Sequence, residues 1–202
     1  TTTTINLATA LCSIGKRVLV IDLDPQSNAS TGLGIDENLR EKNIYDLLVS
    51  SKFYANAIKK TIIPSLDIIP ATTDLAAAEI EFVDINEREK RLKTVLDKVP
   101  DYDNIMIDCP PALGLLTING LVASNSVIIP LQCEYFALEG LSSLMQTIQS
   151  IQRSFNQKLN IQGVVLTMFD KRNSLSSLVE NDVRENLGEM VYSTKIPRNV
   201  RI

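Results

Sequence analysis

Acidic residues follow an apolar segment at two places in the chain. At the first, VLVIDLDPQSNASTGLG (residues 18–34), an apolar run leads through Asp22 and Asp24 into a small polar loop. Ligands of open α/β sheets bind beyond the carboxyl ends of the strands. Two carboxylates one residue apart at such a place could hold Mg²⁺ through water and orient an attacking water. Solvated acids at a strand end fit the same spacing, so the pattern alone leaves both interpretations open.

The second acidic position is Asp108, in YDNIMIDCPPALG (residues 102–114). A hydrophobic strand that ends in aspartate is the pattern of a Walker B element, whose carboxylate helps to hold the magnesium of a bound nucleotide. Taken alone this pattern is weak, because many strands end in aspartate. The neighbouring Cys109 is a poor candidate for a nucleophile, because the chain contains no histidine that could activate it.

The chain opens with consecutive threonines, Thr1 to Thr4, at the start of a helical segment. Threonine is a poor residue for helix interiors, so such a run indicates another purpose. Hydroxyls at a helix N-terminus can face an anion and its metal ion. An artefact of cloning is the alternative explanation of this segment.

Strands and helices alternate around these residues. Short apolar runs rich in β-branched residues predict strands that are buried on both faces. They span residues 18–23, 66–69, 105–107, 127–131 and 161–166. Apolar residues at spacings of three and four predict helices. These cover residues 1–14, a segment from about residue 86, residues 138–155, and residues 174–187 before Gly188. The alternation predicts an α/β fold with a doubly wound, mostly parallel sheet and helices on both faces.

Composition narrows the functional classes. A chain of 202 residues, 45% hydrophobic and 22% charged, fits one α/β domain with a sizeable core. The net charge of −4 provides no global positive field, so any DNA contact needs a local basic patch. Three cysteines without a CxxC pair, and no histidine, argue against a zinc site or a disulfide framework. The charged residues 36–42 are interpreted as a solvated surface segment.

Six segments of the chain occur in the same order in one known family. They are TTTTINLATAL (residues 1–11), RVLVIDLDPQSNASTGLG (17–34), DCPPALGLLTING (108–120), PLQCEYFALEGL (130–141), LTMFDKR (166–172) and IPRNVR (196–201). The first resembles the residues directly after the GK of a deviant Walker A motif, the second resembles switch I, and the third resembles Walker B with switch II. The chain thus resembles the ParA (Soj-like) partition ATPases of the ParA/MinD P-loop family, and the DPQ and PRNVR segments favour ParA over MinD.

This resemblance implies roles for individual residues. Thr1 matches the threonine whose hydroxyl binds Mg²⁺, and Thr2 matches its phosphate-contacting neighbour. Asp22 matches an acid of the magnesium water shell. Asp24 matches the acid that positions the attacking water, and Asp108 matches the Walker B aspartate.

The same resemblance places a second group of residues near the adenine base of the nucleotide. Met168, Asp170, Pro197 and Asn199 match positions where the family packs or bonds the adenine. The implied domain is a single ParA-type ATPase domain over residues 1–202. It is expected to lack the N-terminal P-loop strand, with its glycine-rich loop and lysines, and the C-terminal segment.

The implied function is a cytoplasmic, nucleoid-associated ATPase that uses ATP and Mg²⁺ to partition a chromosome or plasmid. The expected partners are a second copy of the chain in the ATP state, DNA bound without sequence preference, and a ParB-type centromere-binding protein, with no membrane. Because the chain is acidic overall, the DNA contact is expected from a local basic cluster. Its candidates are Arg184, Lys195, Arg198 and Arg201.

Three alternatives stay open from the sequence. A MinD-like ATPase that acts at the membrane would need an amphipathic C-terminal helix. An iron–sulfur protein of the same superfamily would use Cys109 and Cys133, although buried cysteine more often behaves as a small apolar residue. A nucleotide-gated scaffold would bind ATP without turnover, and Asp24 argues against it.

Overall fold

Apolar runs form the strands, because β-branched side chains suit a pleated, buried surface. The computed structural model describes residues 1–135 and 137–199, which fall into two units, Thr1–Ser124 and Asn125–Ile202. Among these residues each unit has its own sheet, with four strands in the first unit and three in the second.

The sheet of the first unit is built around β1 (Val18–Asp22), in which all five residues are buried. The other strands are β2 (Lys59–Lys60), β3 (Leu66–Ile69) and β4 (Asn104–Asp108), and the order across the sheet is β2-β3-β1-β4. β1 pairs in parallel with β3 and with β4, whereas the short β2 is antiparallel to β3. The carboxyl ends of β1, β3 and β4 therefore meet at one edge.

Helices cover both faces of this sheet, because β1 is apolar on both faces. In the described part of the unit they are α1 (Thr2–Ser13), α2 (Asn28–Gly32), α3 (Ile44–Ser50), α4 (Ala78–Glu81), α5 (Arg91–Leu96) and α6 (Leu115–Ala123). Leu19 and Ile21 of β1 pack in a core cluster with residues of α3, α5 and α6. Val18 and Val20 pack in a second cluster with residues of α1 and α2.

The second unit contains a parallel sheet in the order β5-β6-β7. Its elements are β5 (Ser126–Gln132), α7 (Ala137–Ser154), β6 (Asn160–Phe169), α8 (Ser174–Leu187) and β7 (Val191–Pro197). The Asn173 side chain accepts a hydrogen bond from the Leu175 N–H at the start of α8. Gly188 ends α8 at φ 52°, a conformation that favours glycine.

The five predicted strands and the predicted α/β fold with mostly parallel sheets and helices on both sides are confirmed. The helix predicted from about residue 86 begins as a 3-10 turn at Arg88–Lys90 and becomes α5 at Arg91. Strands β2 and β7 were not predicted. The assignment of residues 1–202 to a single domain stays a prediction. Within residues 1–135 and 137–199, no helix is long and apolar enough to cross a membrane.

The interpretation of residues 36–42 as a solvated segment is wrong for Arg40, which is only 6% exposed. Its guanidinium donates to the carbonyl oxygen of Ile35 at 2.6 Å and to the Thr31 hydroxyl at 3.1 Å. A longer bond, 3.5 Å, reaches the carbonyl oxygen of Ala71. These acceptors are a hydroxyl and backbone carbonyl oxygens, which replace water around the buried guanidinium. Arg40 thereby links residues 31–35 to the segment that follows β3.

Candidate functional site

Asp22, Asp24 and Asp108 lie together at the carboxyl ends of β1 and β4, and we call this place the acidic edge. Asp22 and Asp108 are register partners on neighbouring parallel strands, and Asp24 follows two residues after Asp22. The Leu23 N–H donates to the Asp108 carbonyl oxygen at 2.8 Å, which extends the pairing beyond β1. The exposed fractions of Asp22, Asp24 and Asp108 are 0%, 7% and 3%. The structure thus excludes the interpretation of these aspartates as solvated strand ends.

Asp108 is held by the first turn of α1. The Thr1 hydroxyl donates to Oδ2 of Asp108 at 2.7 Å, and the Thr4 hydroxyl donates to Oδ1 at 2.8 Å. Residues three apart lie on the same face of a helix, so both hydroxyls reach one carboxylate. The structure therefore brings the predicted pair Thr1 and Asp108 into contact. Sequence reasoning missed Thr4, although its spacing from Thr1 was a usable signal.

Asp22 is held from the other side by α2. Its Oδ2 accepts from the Ser30 N–H at 2.8 Å and from the Ser30 hydroxyl at 2.6 Å, and its Oδ1 accepts from the Asp24 N–H at 3.3 Å. Burial raises the pKa of Asp22, and the nearby charge of Asp108 raises it further, although the Ser30 bonds act in the opposite direction. The Ser30 hydroxyl also accepts from the Ala71 N–H at 3.0 Å. Ser30 had no distinguishing signal in the sequence.

Asp24 is fixed by a tight turn. Its Oδ1 accepts from the Gln26 N–H at 2.9 Å, and its carbonyl oxygen accepts from the Ser27 N–H at 2.9 Å. Ser27 has φ 55°, so the chain reverses sharply into α2. Within the described part of the chain no donor reaches Oδ2 of Asp24, and this oxygen is available to a water or ligand.

The acidic edge has the chemistry of a Mg²⁺ site. Among the described residues, no lysine or arginine forms an ion pair with Asp22, Asp24 or Asp108, and the ammonium of Thr1, 3.1 Å from Oδ1 of Asp108, is the one cation paired with them. A cation would offset these buried charges and favour the ionised form of Asp22. In residues 1–135 and 137–199, no group of three or more acidic, cysteine or histidine side chains is placed to hold a metal ion by itself. Mg²⁺ typically uses one or two carboxylates together with waters and substrate phosphates, so the residues fit this ion.

The predicted adenine-contacting residues come together at the carboxyl ends of β6 and β7. Phe169 pairs with Pro197, and the Arg198 N–H donates to the Phe169 carbonyl oxygen at 3.0 Å. Met168 and Asp170 flank Phe169 in the chain, and Asn199 follows Arg198, so these residues lie near this one pair together with Pro197. Met168 is 44% exposed and has φ 53°, which is uncommon for a residue other than glycine.

Asp170 is held by its neighbour Arg172 at the same strand ends. Hydrogen bonds from Arg172 lower the pKa of Asp170 to about 2, so this residue is an anion at neutral pH. Thr2, the predicted phosphate contact, is exposed in the first turn of α1. The roles of these residues toward a nucleotide stay predictions.

Similarity to known proteins decides the family. A family model described as an AAA domain matches residues 1–161. The sporulation initiation inhibitor protein Soj of Bacillus subtilis is 53% identical over 203 residues, which cover 100% of this chain and 80% of that protein. The chromosome partitioning protein ParA of Caulobacter vibrioides is 51% identical over 205 residues, covering 100% of this chain and 77% of that protein. The chain belongs to the ParA/Soj family of partition ATPases.

Solved structures agree with this family. Cobyrinic acid a,c-diamide synthase from Mycobacterium smegmatis, with a bound ATP analogue and magnesium, matches with a TM-score of 0.90 at 37% identity, covering 98% of this chain and 82% of that one. A plasmid partition protein from Borrelia burgdorferi matches with a TM-score of 0.82 at 25% identity, covering 99% and 85%. Relatives that carry the names Soj and ParA favour a partition ATPase over the MinD-like alternative.

The cysteines of this ParA/Soj relative do not suit the iron–sulfur alternative. Burial raises the pKa of Cys109 to about 12, and the charges of Asp108 and Asp24 add to the shift. Burial also raises the pKa of Cys133. Cluster ligands are thiolates, and the raised pKa values of both thiols disfavour that form. Cys109 instead packs against α6, where a Cβ on Gly120 would lie 2.6 Å from its Sγ.

Two of the basic residues predicted to bind DNA, Arg184 and Lys195, form ion pairs within the protein. Glu180 accepts from Arg184 at 3.0 Å and from Lys195 at 2.7 Å. Lys195 also lies 4.1 Å from the centre of the Phe169 ring. These contacts weaken the prediction for Arg184 and Lys195, because both side chains are held by Glu180, whose single negative charge offsets one of their two positive charges. The predicted contact Arg201 lies outside the described residues.

Proposed function

We propose that this chain hydrolyses ATP with Mg²⁺ at the acidic edge and that hydrolysis drives the partitioning of a chromosome or plasmid. The observation that carries this proposal is the attachment of Asp108 to Thr1, where β1 and β4 end side by side. Ligands of open α/β sheets bind at such an edge. The Soj and ParA relatives, and the neighbour that holds an ATP analogue with magnesium, support it.

Thr1, Asp22 and Asp108 would hold the cation. When bound, Mg²⁺ supplies positive charge that offsets the phosphate oxygens during phosphoryl transfer. The Thr1 hydroxyl directs its hydrogen to Asp108, so its oxygen lone pairs remain available to a metal. Asp22 presents a carboxylate that Ser30 holds in place, and it would accept hydrogen bonds from waters in the metal shell.

Asp24 would orient the water that attacks the γ-phosphate. Its backbone is fixed by the turn at Ser27, and the Gln26 N–H donates to Oδ1 of its carboxylate. The other oxygen, Oδ2, can accept a hydrogen bond from the attacking water. A transition state that spreads charge over phosphate oxygens needs positioning and electrostatic stabilisation more than covalent chemistry. A carboxylate that is buried and held by the backbone suits this positioning task.

The remaining contacts with the nucleotide are proposed from the family pattern. Thr2 would contact the phosphates beside the N-terminus of α1. Met168, Asp170, Pro197 and Asn199 would contact the adenine.

The partners follow from the same proposal. Two copies of the chain would associate in the ATP state, bind DNA without sequence preference and release it when a ParB-type protein stimulates hydrolysis. The protein would work in the cytoplasm, on the nucleoid and without a membrane partner. Light scattering of Asp24→Ala should show a dimer with ATP and Mg²⁺ but a monomer with ADP.

The proposal is tested by two substitutions of Asp24 in the full-length protein. Asp24→Asn keeps an acceptor for the Gln26 N–H and removes the charge, whereas Asp24→Ala removes both. Each should lower ATP turnover by about 10²-fold or more, while nucleotide affinity stays near that of the wild type. Turnover is measured by phosphate release and affinity by calorimetry. Wild-type turnover in both variants would refute the role of Asp24, and a wild-type protein without ATPase activity would refute the function.

A further inference from the structure

The hydroxyl of Thr4 makes a contact that the proposed roles leave unexplained. Thr4 lies one turn after Thr1 in α1, and its Oγ1 donates to Oδ1 of Asp108 at 2.8 Å. The Asp108 side chain is only 4% exposed, so water can hardly replace this bond. Each oxygen of the buried carboxylate therefore receives one hydroxyl from the same helix face.

The threonine hydroxyls are not used for ordinary helix contacts. Thr1 is the N-cap of α1, yet its side chain makes no cap hydrogen bond. Thr9, further along the same helix, shows the common alternative, because its hydroxyl donates to the Ile5 carbonyl oxygen four residues before it. Thr4 directs its hydroxyl across to β4 instead. Its bond serves the carboxylate of Asp108 and not the backbone of α1.

Two hydrogen bonds, one to each oxygen, restrain the orientation of a carboxylate more than a single hydrogen bond does. A single hydrogen bond to Oδ2 would leave the carboxylate able to turn about its Cβ–Cγ bond, since this torsion is soft for aspartate. At Oδ1 the Thr4 hydroxyl donates at 2.8 Å and the Thr1 ammonium lies at 3.1 Å, so the Thr4 bond adds a restraint from a second residue against that rotation. The orientation of Asp108 in turn sets where the Thr1 hydroxyl, and any water that binds beside it, must lie.

We propose that Thr4 is a positioning residue, which fixes the Asp108 carboxylate so that Thr1 presents its hydroxyl oxygen to the metal of the bound nucleotide. This inference rests on the proposed function. It predicts that Thr4 matters for nucleotide binding that depends on Mg²⁺ and not for binding without the metal.

The test compares nucleotide affinity in Mg²⁺ and in EDTA, using a fluorescent non-hydrolysable ATP analogue and the full-length protein. Thr4→Val removes the hydroxyl and keeps the shape of the side chain. Thr4→Ala also removes it but favours the helix, and Thr4→Ser keeps it. Thr9→Val is the matched control, because it removes a hydroxyl that bonds only within α1. Melting temperatures of all variants are measured alongside.

Thr4→Val and Thr4→Ala should reduce the affinity gained from Mg²⁺ by about tenfold or more, the usual effect of losing a hydrogen bond to a charged group. Affinity in EDTA should be unchanged, Thr4→Ser should restore the gain, and Thr9→Val should match the wild type. An unchanged gain in both hydroxyl-free variants would overturn the inference alone. Equal losses in Mg²⁺ and EDTA would also overturn it, since they indicate damage to α1. A wild-type protein without any gain from Mg²⁺ would overturn the proposed function as well.

Discussion

Replacing Ser30 by alanine should destabilise the protein much more than the loss of one exposed hydroxyl. Ser30 is fully buried, and its Oγ both donates to Asp22 Oδ2 at 2.6 Å and accepts from the Ala71 N–H at 3.0 Å. Alanine keeps the bond from the Ser30 N–H to Asp22 and changes the volume little. The perturbation is therefore confined to the two bonds of the hydroxyl.

The expected size follows from those two bonds. A hydrogen bond to a charged group contributes about 1.5–3 kcal/mol, and a buried donor left without a partner costs about 1–3 kcal/mol. Ala71 is fully buried, so no water can pair with its N–H. Because partial relaxation reduces the sum, we expect Ser30→Ala to lower the free energy of unfolding by about 2–4 kcal/mol.

Urea denaturation followed by circular dichroism measures this change. With a slope m of about 2 kcal/mol/M, the midpoint should fall by about 1–2 M at unchanged m. Ser13→Ala is the matched control, because the Ser13 hydroxyl is exposed and donates only to the Ala10 carbonyl oxygen in its own helix. That control should change the free energy of unfolding by less than about 0.5 kcal/mol. Equal effects of the two substitutions would refute the role given to the Ser30 hydroxyl.

Two further predictions concern packing and titration. Gly120→Ala should lower the melting temperature, because the new Cβ would lie 2.6 Å from Sγ of Cys109 and overpacking costs about 1–3 kcal/mol. Adding Cys109→Ala should recover most of the lost melting temperature, and a double variant without recovery would contradict this packing. Burial and the hydrogen bond to Asp67 raise the pKa of Tyr102 to about 12, so Tyr102→Phe should remove one late component from the absorbance titration of the tyrosines. Because the reference pKa of tyrosine is about 10, the stability that neutral Tyr102 contributes is present below pH 10 and is lost as the pH rises from about 10 to 12. The Phe variant should therefore lose less stability over that range, and a late component that persists in it would point to another tyrosine.

The acidic edge could be predicted in outline but not in detail. Apolar runs that end in Asp22 and Asp108 predicted two parallel strands, and parallel strands bring their carboxyl ends to one edge. The bonds of Thr4 and Ser30 depend on which helix faces meet that edge, which no local pattern states. Arg40 was misjudged for the same reason, because its burial depends on carbonyl oxygens that only the folded chain brings together.

Element prediction failed where the apolar signal was short or mixed. β2 has only two residues, and β7 (VYSTKIP) interleaves polar and apolar side chains, with several of them exposed. Neither has the continuous apolar run that marks a strand buried on both faces. The contacts of Met168 and Asp170 with adenine came from the family resemblance, since an exposed methionine or an acid next to arginine does not by itself specify a base.

The acidic edge joins parts of the chain that are far apart in sequence, and this has a consequence for synthesis. Thr1 and Asp108 are 107 positions apart, and β1 cannot pair with β4 until β4 has emerged from the ribosome. Contacts between distant segments form slowly, because the intervening chain must first be ordered. A nascent chain that ends before β4 already carries Thr1, Asp22 and Asp24, but it lacks Asp108, which is the partner of Thr1 and a member of the proposed cation site. The proposed site can therefore form only when most of the first unit, which ends at Ser124, has been synthesised.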